Sequence, residues 1–387
     1  MPSLIAVDVP GGPEFVDHLR RTWDAGDAVM PIDVRLSSRA KQKLVESMQP
    51  AAVIGPGGDS TRLAGGGLAA QPGDALVMVT SGTTGEPKGV VLTHAAVEAS
   101  ARATNARLGV DPELDTWWAC LPVAHVGGLS VITRCLVGGV RFVAVGAYSG
   151  EGAARAVSAG ATMTSLVPTA FGRLDPALAA AFRRIVLGGQ SPPPGLPGNV
   201  VTTYGMTETG SGVVYDGLPL GGVEVRIAEA TGEIEVRGPM LCRGYRDGSD
   251  PKGTGGWLRT GDSGSIGEDG HLAVHGRLSD MIITGGENVW PLPVEQALRA
   301  DADVEDAVVV GIPDAEWGQR VVAYLVVRPG AAAPDILLHR LRQLVARDHA
   351  WFAAPRQIVV VGQLPRTALG KVRKTALDPA GLPSAFV

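Results

Sequence analysis

A chain of 387 residues is long enough for two or three domains of ordinary size, each with its own core. With 34 basic against 39 acidic residues, a net charge of −5 and only 19% charged residues, it lacks both the basic field that nucleic acid demands and the charge density of a disordered chain. The 53 glycines and 28 prolines show no collagen-like period and predict many tight backbone approaches instead.

The N-terminus has no basic stretch leading into a long apolar run, and no later segment reaches about 18 uncharged apolar residues. The expectation is a cytoplasmic protein with small or specific partners, no membrane insertion and no nucleic acid. The three cysteines, Cys120, Cys135 and Cys242, are too widely spaced for a CxxC redox or zinc pair, and read as inert core thiols in a reducing compartment.

In chain order, the segment 63–72 (LAGGGLAAQP) reads as a loose surface loop or disordered insertion. Strands are predicted at 76–80 and 90–93. Thr93 then suits the N-cap of a helix carrying Val97, Ala101 and Leu108 on one face, which Gly109 would stop. Further strands are expected at 141–145 and 200–203. Between 223 and 236 apolar Val223, Val225, Ile227, Ile234 and Val236 alternate with charged residues around Thr231-Gly232, predicting a half-buried hairpin. The tail predicts a helix at 293–299, strands at 307–311 and 321–327, a helix at 336–346 and a strand at 357–361, a separate α+β domain.

The most informative stretch is 79–94 (VTSGTTGEPKGVVLTH). Small and hydroxylated residues with free N–H groups form an anion nest, and Lys88 adds a mobile positive charge, so a polyphosphate site is the natural reading. It is not a Walker A loop, because Gly85 is followed by Glu-Pro-Lys-Gly rather than by Lys-Ser/Thr at the required spacing. A merely flexible glycine loop would explain Gly82 and Gly85 but not the run of hydroxyls with Lys88.

Four more motifs follow in order: TYGMTETG at 203–210, GWLRTGD at 256–262, GRLSD at 276–280 leading into GGEN at 285–288, and PRTALGK at 365–371. Together with 79–94 they resemble the adenylate-forming superfamily of acyl-CoA synthetases, adenylation domains and luciferases, over residues 76–374. The resemblance implies an α/β fold: a large N-terminal domain of mixed sheets with helices plus a β-hairpin-rich subdomain (1–278), and a small mobile α+β C-terminal domain (279–387), hinged at Ser279. It also implies two half-reactions at one site. A carboxylate attacks the α-phosphorus of ATP and expels pyrophosphate, and a thiol then takes the acyl group.

Carried over by resemblance, Thr80, Ser81, Gly82, Thr83, Thr84, Gly85 and Lys88 wrap the β- and γ-phosphates. Thr207 bonds the α-phosphate, Glu208 holds Mg2+, and Gly188, Gly189 and Gln190 lie against adenine, with Tyr204 stacking and Gly205 and Met206 beside it. Asp262 takes the ribose hydroxyls near Arg277. Lys371 bridges the attacking carboxylate and the α-phosphate, while Lys374 and Arg373 read as solvated side chains. Gly285 and Gly286 face coenzyme A. His125, in LPVAHVGGL at 121–129, together with Ser165 and Thr169 of SLVPT, lines the acid pocket, with Gly127 and Gly128 suggesting close ligand approach. A cation for a second substrate carboxylate is sought in Arg134 or Arg173, although either reads more simply as an exposed helix residue.

Ser279 at the hinge, where much of the superfamily has Asp or Lys, and an N-terminal part shorter than usual resemble the o-succinylbenzoate–CoA ligase branch of menaquinone biosynthesis, as does VYDGLPL at 214–220. Expected partners are therefore a small carboxylic acid, ATP and CoA, with a homodimer left open. A ligase for another aryl or acyl acid is an alternative, as is a stand-alone enzyme that loads a carrier protein. No carrier domain is expected, because the chain ends soon after Lys371. A non-catalytic nucleotide- or CoA-binding protein is disfavoured by the joint presence of Glu208, Asp262 and Lys371.

Overall fold

The computed structural model describes residues 1–63, 65–81, 87–144, 147–366 and 372–377. By their internal contacts the residues fall into two units. One is Met1–Pro192, Leu196–Arg226 and Glu235–Arg259; the other is Pro193–Gly195, Ile227–Ile234 and Thr260–Val387. Among the described residues no helix is long and apolar enough to cross a membrane.

The first unit carries two mixed sheets, each seven-stranded among the described residues. In the first, Leu4–Val7, Ala28–Pro31 and Ala52–Ile54 are parallel, and Asp74–Ser81 joins them parallel through Val29 opposite Leu76. The antiparallel strand Pro87–Thr93 follows, and the two-residue strand Gly244–Tyr245 pairs with it at the edge. The helix Pro13–Asp24 starts on a proline, which supplies no N–H where none is needed, and buries Phe15, Val16 and Leu19. As expected, Thr93 caps the helix His94–Leu108, accepting from Ala96 N at 3.1 Å, and Gly109 ends it at φ +59°.

In the second sheet Thr116–Ala119, Met163–Leu166, Arg184–Leu187 and Val200–Met206 are neighbours in parallel, with Arg141–Ala144 parallel at one edge and Ser211–Tyr215 antiparallel beyond the other end. Parallel strands are covered on both faces, which is why Trp117 and Trp118, adjacent in sequence and pointing opposite ways, are both fully buried. Trp118 stacks on Phe182 at 6.1 Å.

Two expectations are refined. The segment 63–72 is the surface loop of the two alternatives, with 65–69 exposed, but its described part is anchored: Ala70 is buried and its N–H donates to Pro2 O at 2.9 Å, while the Arg246 guanidinium donates to the carbonyls of Leu68 and Ala69. The hairpin Glu224–Ile227/Glu233–Arg237 forms with its first strand half-buried as expected, but the acids of its second strand are covered too. Glu235 pairs with Arg226 at 2.7 Å and Glu233 accepts Gly261 N at 2.8 Å, leaving both carboxylates buried.

In the second unit the antiparallel pair Val304–Asp314 and Gly318–Val327 is flanked in parallel by Gln357–Val360. Ala307, Val309 and Leu325 pack with Leu298 of the helix Pro291–Arg299 and Leu341 and Val345 of the helix Pro334–Asp348. Val308, Val322 and Tyr324 form a smaller cluster with Leu364. Burial on both faces accounts for the unbroken apolar run at 307–310.

Candidate active site

Four of the segments singled out in the sequence leave the carboxyl ends of neighbouring parallel strands. Leu121–His125 follows Thr116–Ala119, Ser165 and Thr169 lie at and beyond the end of Met163–Leu166, Gly188–Gln190 follow Arg184–Leu187, and Tyr204–Glu208 run through the end of Val200–Met206. Ligands of parallel sheets bind at that end, because loops diverge there and leave a crevice. Gly188 and Gly205 owe their identity to packing within the sheet. A Cβ at Gly188 would come within 2.7 Å of Thr203 Oγ1, and one at Gly205 within 2.1 Å of Ser211 O, where the pairing of Val200–Met206 with Ser211–Tyr215 shifts register.

Thr207-Glu208-Thr209 form one 3₁₀ turn. Its orientation is fixed by Thr209, whose hydroxyl accepts Met206 N at 2.9 Å and donates toward the Ser211 carbonyl at 2.6 Å. Glu208 is thereby presented half-buried. A magnesium ion that arrives with a nucleotide needs only one or two carboxylates from the protein, the rest of its shell being phosphate and water. One carboxylate with an anchored backbone fits that demand. Among the described residues no group of three or more His, Cys, Asp or Glu could hold a metal by itself.

The strands Asp74–Ser81 and Pro87–Thr93 form the stem of the glycine-rich loop, with Thr80 opposite Lys88 and the Thr80 hydroxyl donating to Lys88 O at 3.4 Å. Gly82, Thr83, Thr84 and Gly85 lie outside the described residues. Lys88 Nζ sits 3.4 Å from the centroid of the Tyr245 ring, and the Tyr245 hydroxyl donates to Glu208 Oε1 at 3.0 Å. Burial and the charge of Glu208 push the phenol well above its ordinary range, so it stays a donor. Tyr245 was not legible as a site residue, because a lone tyrosine in CRGYRDG carries no spacing signal.

His125 caps the helix Val126–Gly138, its carbonyl accepting from Gly128 N and Leu129 N at 3.0 Å. Two residues that the sequence did not single out meet its ring: Arg35 Nη2 lies 3.2 Å and Asp33 Oδ2 3.5 Å from Nε2. Arg35 in turn grips Asp33 through Nε at 2.8 Å and Nη2 at 2.6 Å, and those hydrogen bonds, against the opposing effect of burial, hold the Asp33 carboxyl below its usual range. Of the two glycines after His125, one has a packing reason of its own. A Cβ on Gly128 would come within 2.3 Å of Pro122 O, so close passage of the backbone explains that residue, and Gly127 has ordinary space.

Ser165 is buried with a hydroxyl that has no partner among the described residues, and Thr169 is half-buried. Of the two arginines considered for a second carboxylate, Arg134 is not exposed. It is 2% accessible, donates to Ser130 O and Ser130 Oγ at 2.9 Å each, and lies 4.9 Å from the Trp117 ring. Arg173 is exposed. Cys120, Cys135 and Cys242 are free and buried, with burial pushing each thiol up to about 12.

In the second unit Asp262 and Arg277 face each other across antiparallel strands, with Arg277 Nε 2.8 Å from Asp262 Oδ1 and Arg277 Nη1 donating to Thr260 O at 3.0 Å. Ser279 lies in the 3₁₀ turn Leu278–Asp280. Gly285 and Gly286, at φ +61° and +84°, are the two central residues of a tight hairpin turn between Thr284 and Glu287. A Cβ on Gly285 would also meet the Trp317 ring at 2.9 Å, so local structure requires this pair whatever it binds. Lys374 is no loose lysine: its ammonium pairs with Asp280, the neighbour of Ser279, at 2.7 Å. Lys371 lies outside the described residues.

Comparison with known proteins places the chain in a family. Residues 68–246 match the AMP-binding enzyme family and residues 293–371 the AMP-binding enzyme C-terminal domain. A probable 2-succinylbenzoate–CoA ligase of Mycobacterium tuberculosis is 40% identical over 362 residues, covering 87% of this chain and 93% of that protein. The 2-succinylbenzoate–CoA ligase of Enterococcus faecalis is 33% identical over 346 residues, covering 79% and 70%. The solved o-succinylbenzoate CoA synthetase (MenE) of Bacillus subtilis, in complex with the acyl-adenylate intermediate OSB-AMP, superimposes with a TM-score of 0.83 at 27% identity, covering 98% of this chain and 88% of that one.

Proposed function

The chain belongs to the AMP-binding enzyme family and is an adenylate-forming acid–CoA ligase, and from that premise we propose that its acid is o-succinylbenzoate. The observation that carries the proposal is the 40% identity to a probable 2-succinylbenzoate–CoA ligase over nearly the whole length of both chains. The division of labour proposed is a nucleotide- and acid-binding part, 1–278, and a mobile part, 279–387, that turns about Ser279.

In the first half-reaction an oxygen of the carboxylate bonds to the α-phosphorus of ATP as the bond to the pyrophosphate oxygen breaks. The nucleophile is poor and approaches an anion, so the protein's task is to place positive charge and N–H donors where negative charge builds. We assign Lys88, with Thr80, Ser81 and the 82–85 segment, to the β- and γ-phosphates. Thr207 takes the α-phosphate, Glu208 a Mg2+ ion whose bound charge offsets that of the phosphates, and Asp262 with Arg277 the ribose. Tyr204, Gly205, Met206 and 188–190 take the adenine, and Lys371 the carboxylate as it meets the α-phosphate. In the second half-reaction the thiol of CoA bonds to the acyl carbon and AMP leaves, with Gly285 and Gly286 on the CoA side. His125, Ser165 and Thr169 line the acid, and the Ser165 hydroxyl, unpartnered among the described residues, supports a polar contact there.

Three buried free thiols suit a reducing compartment, which supports a cytoplasmic enzyme that meets ATP and CoA where they are made. The test is pyrophosphate release over a panel of acids, with and without CoA. Turnover of o-succinylbenzoate well above benzoate, fatty acids and amino acids is expected; selective use of another acid removes the substrate assignment.

A further inference from the structure

Tyr245 stands between the two charged groups assigned above to the nucleotide. Its ring lies under the Lys88 ammonium at 3.4 Å and its hydroxyl donates to Glu208 Oε1 at 3.0 Å. The contact is built into the backbone on both sides. Cys242 N donates to Glu208 O at 2.7 Å, Arg243 N to Val91 O at 2.9 Å and Arg246 N to Gly89 O at 2.7 Å. Gly244 and Tyr245 are opposite Val91 and Val90 in the sheet. The segment 242–246 thus sutures the strand that carries Lys88 to the turn that carries Glu208, and Tyr245 is the side chain it places between them.

The two contacts reinforce each other. A phenol that donates to a carboxylate gains electron density on its ring, and a cation over the ring face is attracted to that density. We propose that Tyr245 is a positioning residue that fixes the separation of Lys88 and Glu208, so that the phosphate cation and the metal carboxylate are preset before ATP and Mg2+ arrive. The proposal rests on the roles given to Lys88 and Glu208 above. Without the preset, each side chain must be ordered at the moment of binding, at a cost in rotamer entropy.

Tyr245→Phe and Tyr245→Leu separate the two contacts, because phenylalanine keeps the ring under Lys88 and loses only the bond to Glu208. ATP affinity is measured by calorimetry in EDTA, and the Mg2+ concentration for half-maximal tightening of ATP binding is measured separately. Tyr245→Phe should leave metal-free ATP affinity within about twofold of wild type and raise the Mg2+ midpoint about 3- to 10-fold. Tyr245→Leu should raise the Mg2+ midpoint similarly and also weaken metal-free ATP binding about 3- to 10-fold. Melting temperature is followed throughout, with Tyr245→Met in reserve if the leucine variant does not fold. Wild-type values in both variants would overturn the proposal, as would a loss of metal-free ATP binding in Tyr245→Phe equal to that in Tyr245→Leu. Lys88→Ala and Glu208→Gln are run alongside. If they leave ATP and Mg2+ binding unchanged, the assignments beneath the proposal fall and it falls with them; if they respond while Tyr245 variants do not, only the role of Tyr245 falls.

Discussion

Asp262→Ala separates a binding role from a structural one. The Asp262 side chain is 10% exposed, and Arg277, its ion-pair partner, is about half exposed and has a second anchor on Thr260 O at 3.0 Å, so the guanidinium keeps a tether when the carboxylate is deleted. An ion pair with one exposed member contributes under about 1 kcal/mol to stability. Hydrogen bonds from ribose hydroxyls to a carboxylate are worth about 1.5 to 3 kcal/mol each, so losing one net bond weakens ATP about 10- to 150-fold. The assay is calorimetric titration of ATP against the variant and wild type, with 2′-deoxy-ATP as a second ligand and thermal unfolding in parallel. ATP affinity should fall far more than stability, and the wild-type preference for ATP over the deoxy analogue should shrink in the variant. An ATP affinity within twofold of wild type, or an undiminished preference for ATP, would refute the assignment of Asp262 to the ribose.

Lys371→Ala should slow acyl-adenylate formation by about 10²- to 10³-fold while sparing thioester formation from supplied acyl-adenylate, as single-turnover kinetics of each half-reaction would show; equal losses in both steps contradict the role. Ser279→Pro, which fixes φ near −65°, should do the reverse if the adenylation pose is the one retained. Gly128→Ala should destabilise the chain by about 1 to 3 kcal/mol, since a methyl 2.3 Å from Pro122 O forces backbone movement, and a melting temperature equal to wild type counts against that packing. For Asp33, Arg35's hydrogen bonds lower the folded pKa, so its stabilising share is full above about pH 3.8 and is lost as pH falls through the folded value. The stability gap between wild type and Asp33→Asn should therefore narrow below about pH 4 in denaturant titrations, whereas a gap independent of pH would exclude the linkage.

Much of the candidate site was legible because the chemistry proposed for it demands particular residue types at fixed spacing. TYGMTETG and the hydroxyl-rich run before Lys88 stand out without any knowledge of the fold, and the elements around them followed from Thr93 as a cap, Gly109 as a stop and the apolar run at 307–310. What stayed hidden depends on pairing at long range. Asp33, Arg35 and Tyr245 sit in short segments whose meaning appears only when the loop after a strand of the first sheet brings 33 beside 125, after a strand of the second, and an edge strand brings 245 beside 88. Glycines carry a second reason that the sequence hides, since Gly128, Gly188 and Gly285 suggested ligand contact while each also has a neighbour inside its own unit that leaves no room for a Cβ. The covered acids Glu233 and Glu235 defeated the alternation rule for the same reason, because Gly261 N and Arg226 reach them from outside the hairpin's own residues or across it.

The most direct test of the account is the product balance of the purified protein given o-succinylbenzoate, ATP, Mg2+ and CoA, followed by mass spectrometry of the thioester fraction. An adenylate-forming ligase for this acid gives AMP and pyrophosphate in equal amounts with one thioester, of mass equal to acid plus CoA less water. Formation of ADP and phosphate, or AMP with no CoA thioester of this acid, would contradict it.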